Sequence, residues 1–331
     1  MIMRVAVIGG SGFIGSSLCK LFTKKKTEFH ILDIKKSDLF PDKYNFADVR
    51  YADDLYKTLN STSIIINLAA EHRDDVSPKN LYDDVNVKGA ENICNIARLK
   101  KITKIVFTSS VAVYGFAPLD TDESGKINPF NDYGRTKWEA EMVYRSWYEE
   151  DPQNRTLVII RPTVVFGEGN RGNVYNLLKQ IASGRFVMIG NGLNIKSMAY
   201  VENVAAFISY TLNFNSGLHL YNYIDKPDFT MNSLVKIVNR IMGRPEEIKF
   251  RLPYWIGIFI GLIFDFSSII LRKNFAISAI RVKKFCSNSA YKSSLLETGY
   301  EAPKKIIEAV NQTVKHEFLE KHKQYNIHTT Q

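Results

Sequence analysis

The stretch Gly9-Gly10-Ser11-Gly12-Phe13-Ile14-Gly15, directly behind the apolar run from Arg4 to Ile8, constrains this chain more than any other. An apolar-periodic stretch through Leu21 and Phe22 follows it, so the order reads strand, tight turn, helix. Glycines in that context let the turn close and bring backbone amides and a helix N-terminus onto a pyrophosphate. Gly9, Gly12 and Gly15, with Phe13 and Ile14 between them, are therefore candidate cofactor contacts.

The same rhythm recurs. Phe29 to Asp33, Ser63 to Ala69, Lys104 to Ser109 and Leu157 to Arg161 are apolar runs of strand length, with helical patterns such as Leu81 to Leu99 between them. Buried strands alternating with helices predict an α/β fold, a Rossmann-type doubly wound parallel sheet. After Arg161-Pro162 the connections become glycine-rich, at Gly167-Glu168-Gly169 and Gly190-Asn191-Gly192. This change predicts a dinucleotide-binding domain over residues 1–165 and, over 166–331, mainly a smaller C-terminal substrate-binding lobe interdigitated with it. The polar end from His316 to Gln331 is expected to fray.

Asp33 closes the second strand about 20 residues beyond the glycines, where its carboxylate can hold an adenosine ribose and repel a 2′-phosphate. That favours NAD over NADP, with Lys35 and Lys36 softening the repulsion. Asp48 and Val49, ending the next apolar stretch, are candidates for the adenine.

Tyr133 and Lys137 stand four residues apart on one face of a predicted helix running toward Trp147. A phenol with an ordinary pKa near 10 is a poor base at neutral pH, but a fixed ammonium and a cationic nicotinamide both favour its ionised form. Thr108-Ser109-Ser110 ends a predicted strand at the edge where open α/β sheets bind ligands, which makes Ser110 a candidate partner for a reacting hydroxyl.

Together these motifs identify the chain as resembling the extended short-chain dehydrogenase/reductase family, the NAD-dependent epimerases and dehydratases, over nearly its whole length. The resemblance implies Ser110 as the substrate's hydrogen-bond partner, Tyr133 as acid and base, and Lys137 as the residue that lowers the tyrosine's pKa and holds the nicotinamide ribose. It further implies that Leu68, Ala69 and Ala70 line the nicotinamide, that Asn86 is the family's helix asparagine and a cofactor-site residue, and that Pro162 ends the sixth strand beside the cofactor. Sugar 4,6-dehydratases of the family carry Asp-Glu after the active-site Thr, whereas this chain has Val111-Ala112. Epimerisation or simple carbonyl/alcohol redox is the expectation that remains.

Longer stretches, 69–78, Thr108 to Gly115, 166–175, Lys196 to Asn203 and Arg281 to Cys286, resemble the branch of that family that inverts C4 of N-acetylglucosamine on undecaprenyl diphosphate for O-antigen synthesis. A 4-epimerase of UDP-N-acetylglucosamine, a 4-ketosugar reductase and a non-catalytic dinucleotide sensor are the rival readings. A sensor alone does not require Ser110, Tyr133 and Lys137. His72, Arg171, Asn173, Lys196 and Arg281 are candidate substrate contacts: Arg171, Asn173 and Lys196 are expected in loops of the second lobe where a diphosphate could bind, and Arg281 belongs to a basic cluster suited to the diphosphate or to anionic headgroups.

The formal charge of +10 favours an anionic partner. Without basic runs interleaved with aromatics, nucleic acid is the weakest candidate, behind a phosphorylated sugar substrate, lipid- or nucleotide-linked, and an anionic membrane surface. Leu252 to Leu271 is apolar save for Asp265 and a few small polar residues, and Arg272-Lys273 follow it. The unbroken part is shorter than the ~20 residues a bilayer requires, so a buried lobe helix and a segment in the membrane interface both fit. The strand opening so near Met1 leaves no room for a signal peptide, and the expected place is the cytoplasmic face of the inner membrane. A homodimer is the expected assembly. Cys19, Cys94 and Cys286 lack metal-ligand spacing, as do the six histidines, so reduced packing thiols and no metal are expected.

Overall fold

The computed structural model describes residues 3–73, 76–248, 250–271 and 278–320. Arg272, Lys273, His322 and His328, together with part of the 69–78 stretch and residues 321–331 of the tail, lie outside the described residues. His316 is within them, in the last turn of the final helix.

Twelve strands are described: β1 (Arg4–Ile8), β2 (Glu28–Asp33), β3 (Tyr44–Phe46), β4 (Ile64–Asn67), β5 (Lys104–Thr108), β6 (Thr156–Pro162), β7 (Val164–Phe166), β8 (Met188–Ile189), β9 (Ile195–Tyr200), β10 (Gly217–Tyr223), β11 (Asp225–Thr230) and β12 (Arg251–Leu252). The described α-helices are α1 (Phe13–Lys25), α2 (Ala52–Thr58), α3 (Gly89–Leu99), α4 (Asp132–Glu149), α5 (Asn173–Ala182), α6 (Val201–Thr211), α7 (Met231–Ile241), α8 (Tyr254–Leu271), α9 (Ala279–Cys286) and α10 (Ile306–Phe318).

Seven strands form one sheet in the order β10-β6-β5-β4-β1-β2-β3. Every pair within it is parallel, as the continuous apolar runs require. Alternate side chains of each strand feed opposite layers. Val5, Val7, Ile31 and Val106 pack with residues of α1 and α6, while Ala6, Ile8, Leu32 and Phe107 pack with residues of α3 and α4. The seventh strand, β10, comes from beyond residue 165 and pairs with β6, so the chain returns to the large sheet after leaving it.

The rest of the second half gathers around its own core. Phe166, Leu178, Met198, Leu234 and Val310 meet there from β7, α5, β9, α7 and α10, and Phe13 and Ile14 of α1 pack against this cluster. The helix behind the glycine turn is thus wedged between the two cores. The predicted helix from Leu81 to Leu99 is present, but its Asp83–Lys88 portion is π-helical, a local widening found often at functional sites.

Candidate active site

Strand order reverses between β1 and β4, and the crevice this opens is where parallel sheets take ligands. Ile8 is level with both Leu32 and Asn67. Register therefore sets Gly9, Asp33 and Leu68 side by side at one sheet edge. Gly9 has φ +75°, and a Cβ there would stand 2.6 Å from the Ala69 nitrogen, so only glycine fits. Gly15 packs on the Gly9 carbonyl oxygen from the first turn of α1.

These residues fit a dinucleotide. Gly12 caps α1 without a side chain, and no acid stands in the first turn, so the amides at that helix end face the crevice uncompensated. Asp33 accepts hydrogen bonds from the Ser11 amide at 3.0 Å and the Lys35 amide at 2.9 Å. Burial raises its carboxyl above the usual range, and those amides oppose the rise. Ser109 Oγ, at the end of β5, is a buried oxygen without a partner among the described residues. Pro162 closes β6, a strand buried along its whole length.

Asp48, expected at the adenine, is engaged within its own segment. Its carboxylate is taken by Arg50, at 3.0 Å from Nε and 2.5 Å from Nη2. Burial would raise its pKa, and the Arg50 hydrogen bonds outweigh burial and lower it. Val49 is buried under Gly89. Asn86 is likewise committed: its amide oxygen accepts from the Glu71 amide at 2.9 Å, and its Nδ2 donates to the Glu71 carbonyl and to Thr136 Oγ1. It ties the π-helical turn to the segment after β4 and to α4.

Ser110, Tyr133 and Lys137 come together. Ser110 is extended and caps the short turn Val111–Tyr114, accepting from the Ala112 amide at 3.1 Å. Asn131 caps α4, and a Cβ on Gly134 would fall 2.5 Å from the Ala112 carbonyl oxygen, so glycine lets the first turn of α4 press against that same turn. Half-buried Tyr133 is thereby carried toward Ser110. Burial raises the phenol's pKa, and the Ser110 side chain opposes the rise in part.

Lys137 is 2% exposed, with Nζ 4.2 Å from the centroid of the Phe107 ring. Burial lowers its pKa from 10.5 to about 7, and the Glu141 carboxylate acts against that shift. The ring face supplies a weak cation site in a place water does not reach. Glu141 was not singled out from the sequence, although its spacing of four from Lys137 and eight from Tyr133 would have placed it on their face.

The candidate substrate contacts stand on several elements of the second half, apart from His72. Lys196 is in β9, not a loop, and its ammonium donates to the carbonyls of Lys284 at 2.9 Å and Ser287 at 2.7 Å, closing the C-terminal end of α9. Burial lowers its pKa to about 8. Arg171 pairs with Glu317 at 2.8 Å and lies over the Tyr175 ring. Asn173 opens α5 rather than a loop, exposed, and Arg281 is exposed on α9. His72 is exposed just beyond β4, with Nδ1 3.4 Å from the Ala70 carbonyl oxygen. Cys19, Cys94 and Cys286 are free thiols.

Residues 5–223 match the model of the NAD dependent epimerase/dehydratase family. The chain is 45% identical over 320 residues, 96% of each sequence, to the N-acetyl-alpha-D-glucosaminyl-diphospho-ditrans,octacis-undecaprenol 4-epimerase of Escherichia coli O157:H7. Among solved structures it resembles the UDP-N-acetylglucosamine 4-epimerase of Bacillus cereus, with a TM-score of 0.73 at 17% identity over 94% of this chain and 98% of that one. It also resembles the UDP-glucuronic acid 4-epimerase of the same organism in complex with NAD, with a TM-score of 0.73 at 18% identity over 95% and 98%.

Proposed function

The chain belongs to the NAD-dependent epimerase/dehydratase family, with NAD as its cofactor, and on that premise we propose that it inverts C4 of N-acetylhexosamine carried on undecaprenyl diphosphate, interconverting GlcNAc and GalNAc at the membrane face. The observation that carries the reading is near end-to-end identity of 45% to a relative named for that reaction, in a chain whose Ser110, Tyr133 and Lys137 converge at one sheet edge.

In this reading Gly9, Gly12, Gly15 and the α1 amides hold the pyrophosphate of NAD, Asp33 its ribose, and the 68–70 segment lines its nicotinamide. The cofactor held there would supply the hydride acceptor for C4 of the sugar and, once reduced, the hydride donor. Ser110 holds the C4 hydroxyl and Tyr133 accepts its proton, leaving a 4-keto sugar. Once the sugar presents its other face, Tyr133 gives the proton back, and no cofactor is consumed. Lys137 sits one helical turn from the phenol, and its protonated form would favour the phenolate. Val111 and Ala112 bring no acid or base for water elimination beside Ser110.

The test is incubation with GlcNAc on lipid diphosphate and, separately, with UDP-GlcNAc, adding no cofactor, followed by acid release and identification of the sugar. GalNAc from the lipid-linked substrate supports the reading. GalNAc from UDP-GlcNAc alone would move the enzyme to nucleotide sugars, and a requirement for added NADH would make it a reductase.

A further inference from the structure

The helix α8 has two unlike sides. Gly257 and Gly261 face inward: a Cβ on the first would meet Ile189 and Val282, and on the second the backbone at Ala279. Asp265, one turn further, accepts from the Ala279 amide at 3.0 Å, so the single acid of the helix is spent on the start of α9. Trp255, Phe259, Leu262, Ile263 and Phe266 face outward and are between 50% and 71% exposed. At the helical repeat these five fall within an arc of about 100° opposite the inward residues. Phe250 and Tyr254, both exposed, extend the apolar surface at the N-terminal end.

The helix is therefore not the buried lobe helix. Among the described residues no helix is long and apolar enough to cross a membrane. Single exposed apolar side chains are ordinary, but five large ones in a row on one helix face mark a contact surface.

We infer that this face of α8 is the surface by which the enzyme lies on an anionic phospholipid bilayer, with its axis in the plane of the interface. Charge complementarity selects that occupant. The chain carries a formal +10, α8 shows no acid outward, and Arg281 and Lys283 are exposed on the adjoining α9. An apolar stripe bordered by cations is the arrangement that seats a helix among headgroups.

The partner helix α9 reaches the loops beside the reaction site. Lys283 Nζ lies 4.9 Å from the Phe116 ring centroid and Lys284 Nζ 4.7 Å from that of Phe130. Those rings pack on each other at 4.9 Å and stand in the loops that follow Ser110 and precede Tyr133. The helix that α8 packs on is thus itself in contact with the loops flanking the Ser110 and Tyr133 pair. Resting on the lipid-substrate reading above, this arrangement lets the sugar diphosphate enter while its lipid tail stays in the membrane.

Co-sedimentation of the full chain with vesicles of phosphatidylglycerol and phosphatidylethanolamine tests the surface without any substrate. The wild type should pellet with them, and Phe259→Glu with Ile263→Glu should weaken that binding by about tenfold or more. Folding is checked by bound NAD and by turnover of a short-chain, water-soluble lipid-diphosphate sugar, both of which should persist in the variant. Turnover of the long-chain substrate in membranes should fall with the binding. Equal vesicle binding by the two proteins would overturn the assignment. So would a wild type that ignores vesicles while the variant alone changes its oligomeric mass, since the face would then join copies of the chain. Vesicle binding that depends on α8 in an enzyme that acts only on UDP-GlcNAc would keep the surface and reject the substrate.

Discussion

Both carboxylate oxygens of Glu141 meet the guanidinium of Arg161, at 2.8 Å from Nε and 2.6 Å from Nη2, with the two side chains 0% and 1% exposed. Arg161 also donates to the Tyr114 hydroxyl at 2.6 Å, and that hydroxyl donates to Asn222 Oδ1 at 2.8 Å. The chain of contacts fastens α4 to β6 and β10. It sets the rotation of the helix that carries Tyr133 and Lys137.

Breaking this pair from one side should be costly. Glu141→Ala leaves a buried guanidinium without its counter-charge, and urea unfolding should show a loss of about 3–5 kcal/mol. Replacing both partners with apolar residues, Glu141→Leu with Arg161→Met, should recover most of it. A single variant as stable as the wild type would remove the pair from the account of how α4 is held.

Tyr133→Phe retains the ring's packing and removes the proton acceptor. Turnover should fall by about 10²- to 10⁴-fold. NAD released from the denatured variant should match the wild-type amount, because the glycine turn and Asp33 are untouched. Full activity would overturn the role given to Tyr133.

Lys137 makes stability depend on pH in a stated direction. Its folded pKa of about 7 lies below the unfolded value of about 10.4, so between those values the unfolded chain binds more protons. The penalty of burying the ammonium is present in full below pH 7 and is relieved as pH rises toward 10. Relative to Lys137→Met, the wild type should therefore gain stability over that window, by a few kcal/mol at most. Parallel denaturation curves from pH 6 to pH 9, differing by a constant amount, would contradict the shift.

Gly9→Ala puts a methyl into the Ala69 backbone and an L-residue at φ +75°. Loss of about 1–3 kcal/mol is expected, together with loss of copurifying NAD as the turn opens. Thermal melting and cofactor content measured on one sample check both.

Lys196→Met separates a structural cation from a substrate contact. Because its ammonium closes the last turn of α9, the variant should lose about 1–2 kcal/mol of stability with KM unchanged. A tenfold rise in KM at unchanged stability would return Lys196 to the substrate site.

The strands, the glycine turn and the spacing of Tyr133 and Lys137 were legible from the sequence alone, because each is a local matter. A two-residue period decides which sheet layer receives Val5 or Ala6, a left-handed φ decides Gly9, and a turn of helix decides that Tyr133, Lys137 and Glu141 share a face. Tertiary structure alone decided which polar groups were already spent. That Glu71 and Thr136 stand at the amide of Asn86 is visible only in the fold. The same is true of Glu317 beside Arg171 and of the end of α9 beside Lys196. Likewise Leu252 to Leu271 shows its apolarity in the sequence, but its outward side emerged only when Gly257, Gly261 and Asp265 were seen against β8 and α9. The reason is physical: a residue's backbone preferences and periodicity travel with its neighbours in sequence, whereas hydrogen-bond partners and solvent exposure are set by whichever distant segments the folded core brings against it.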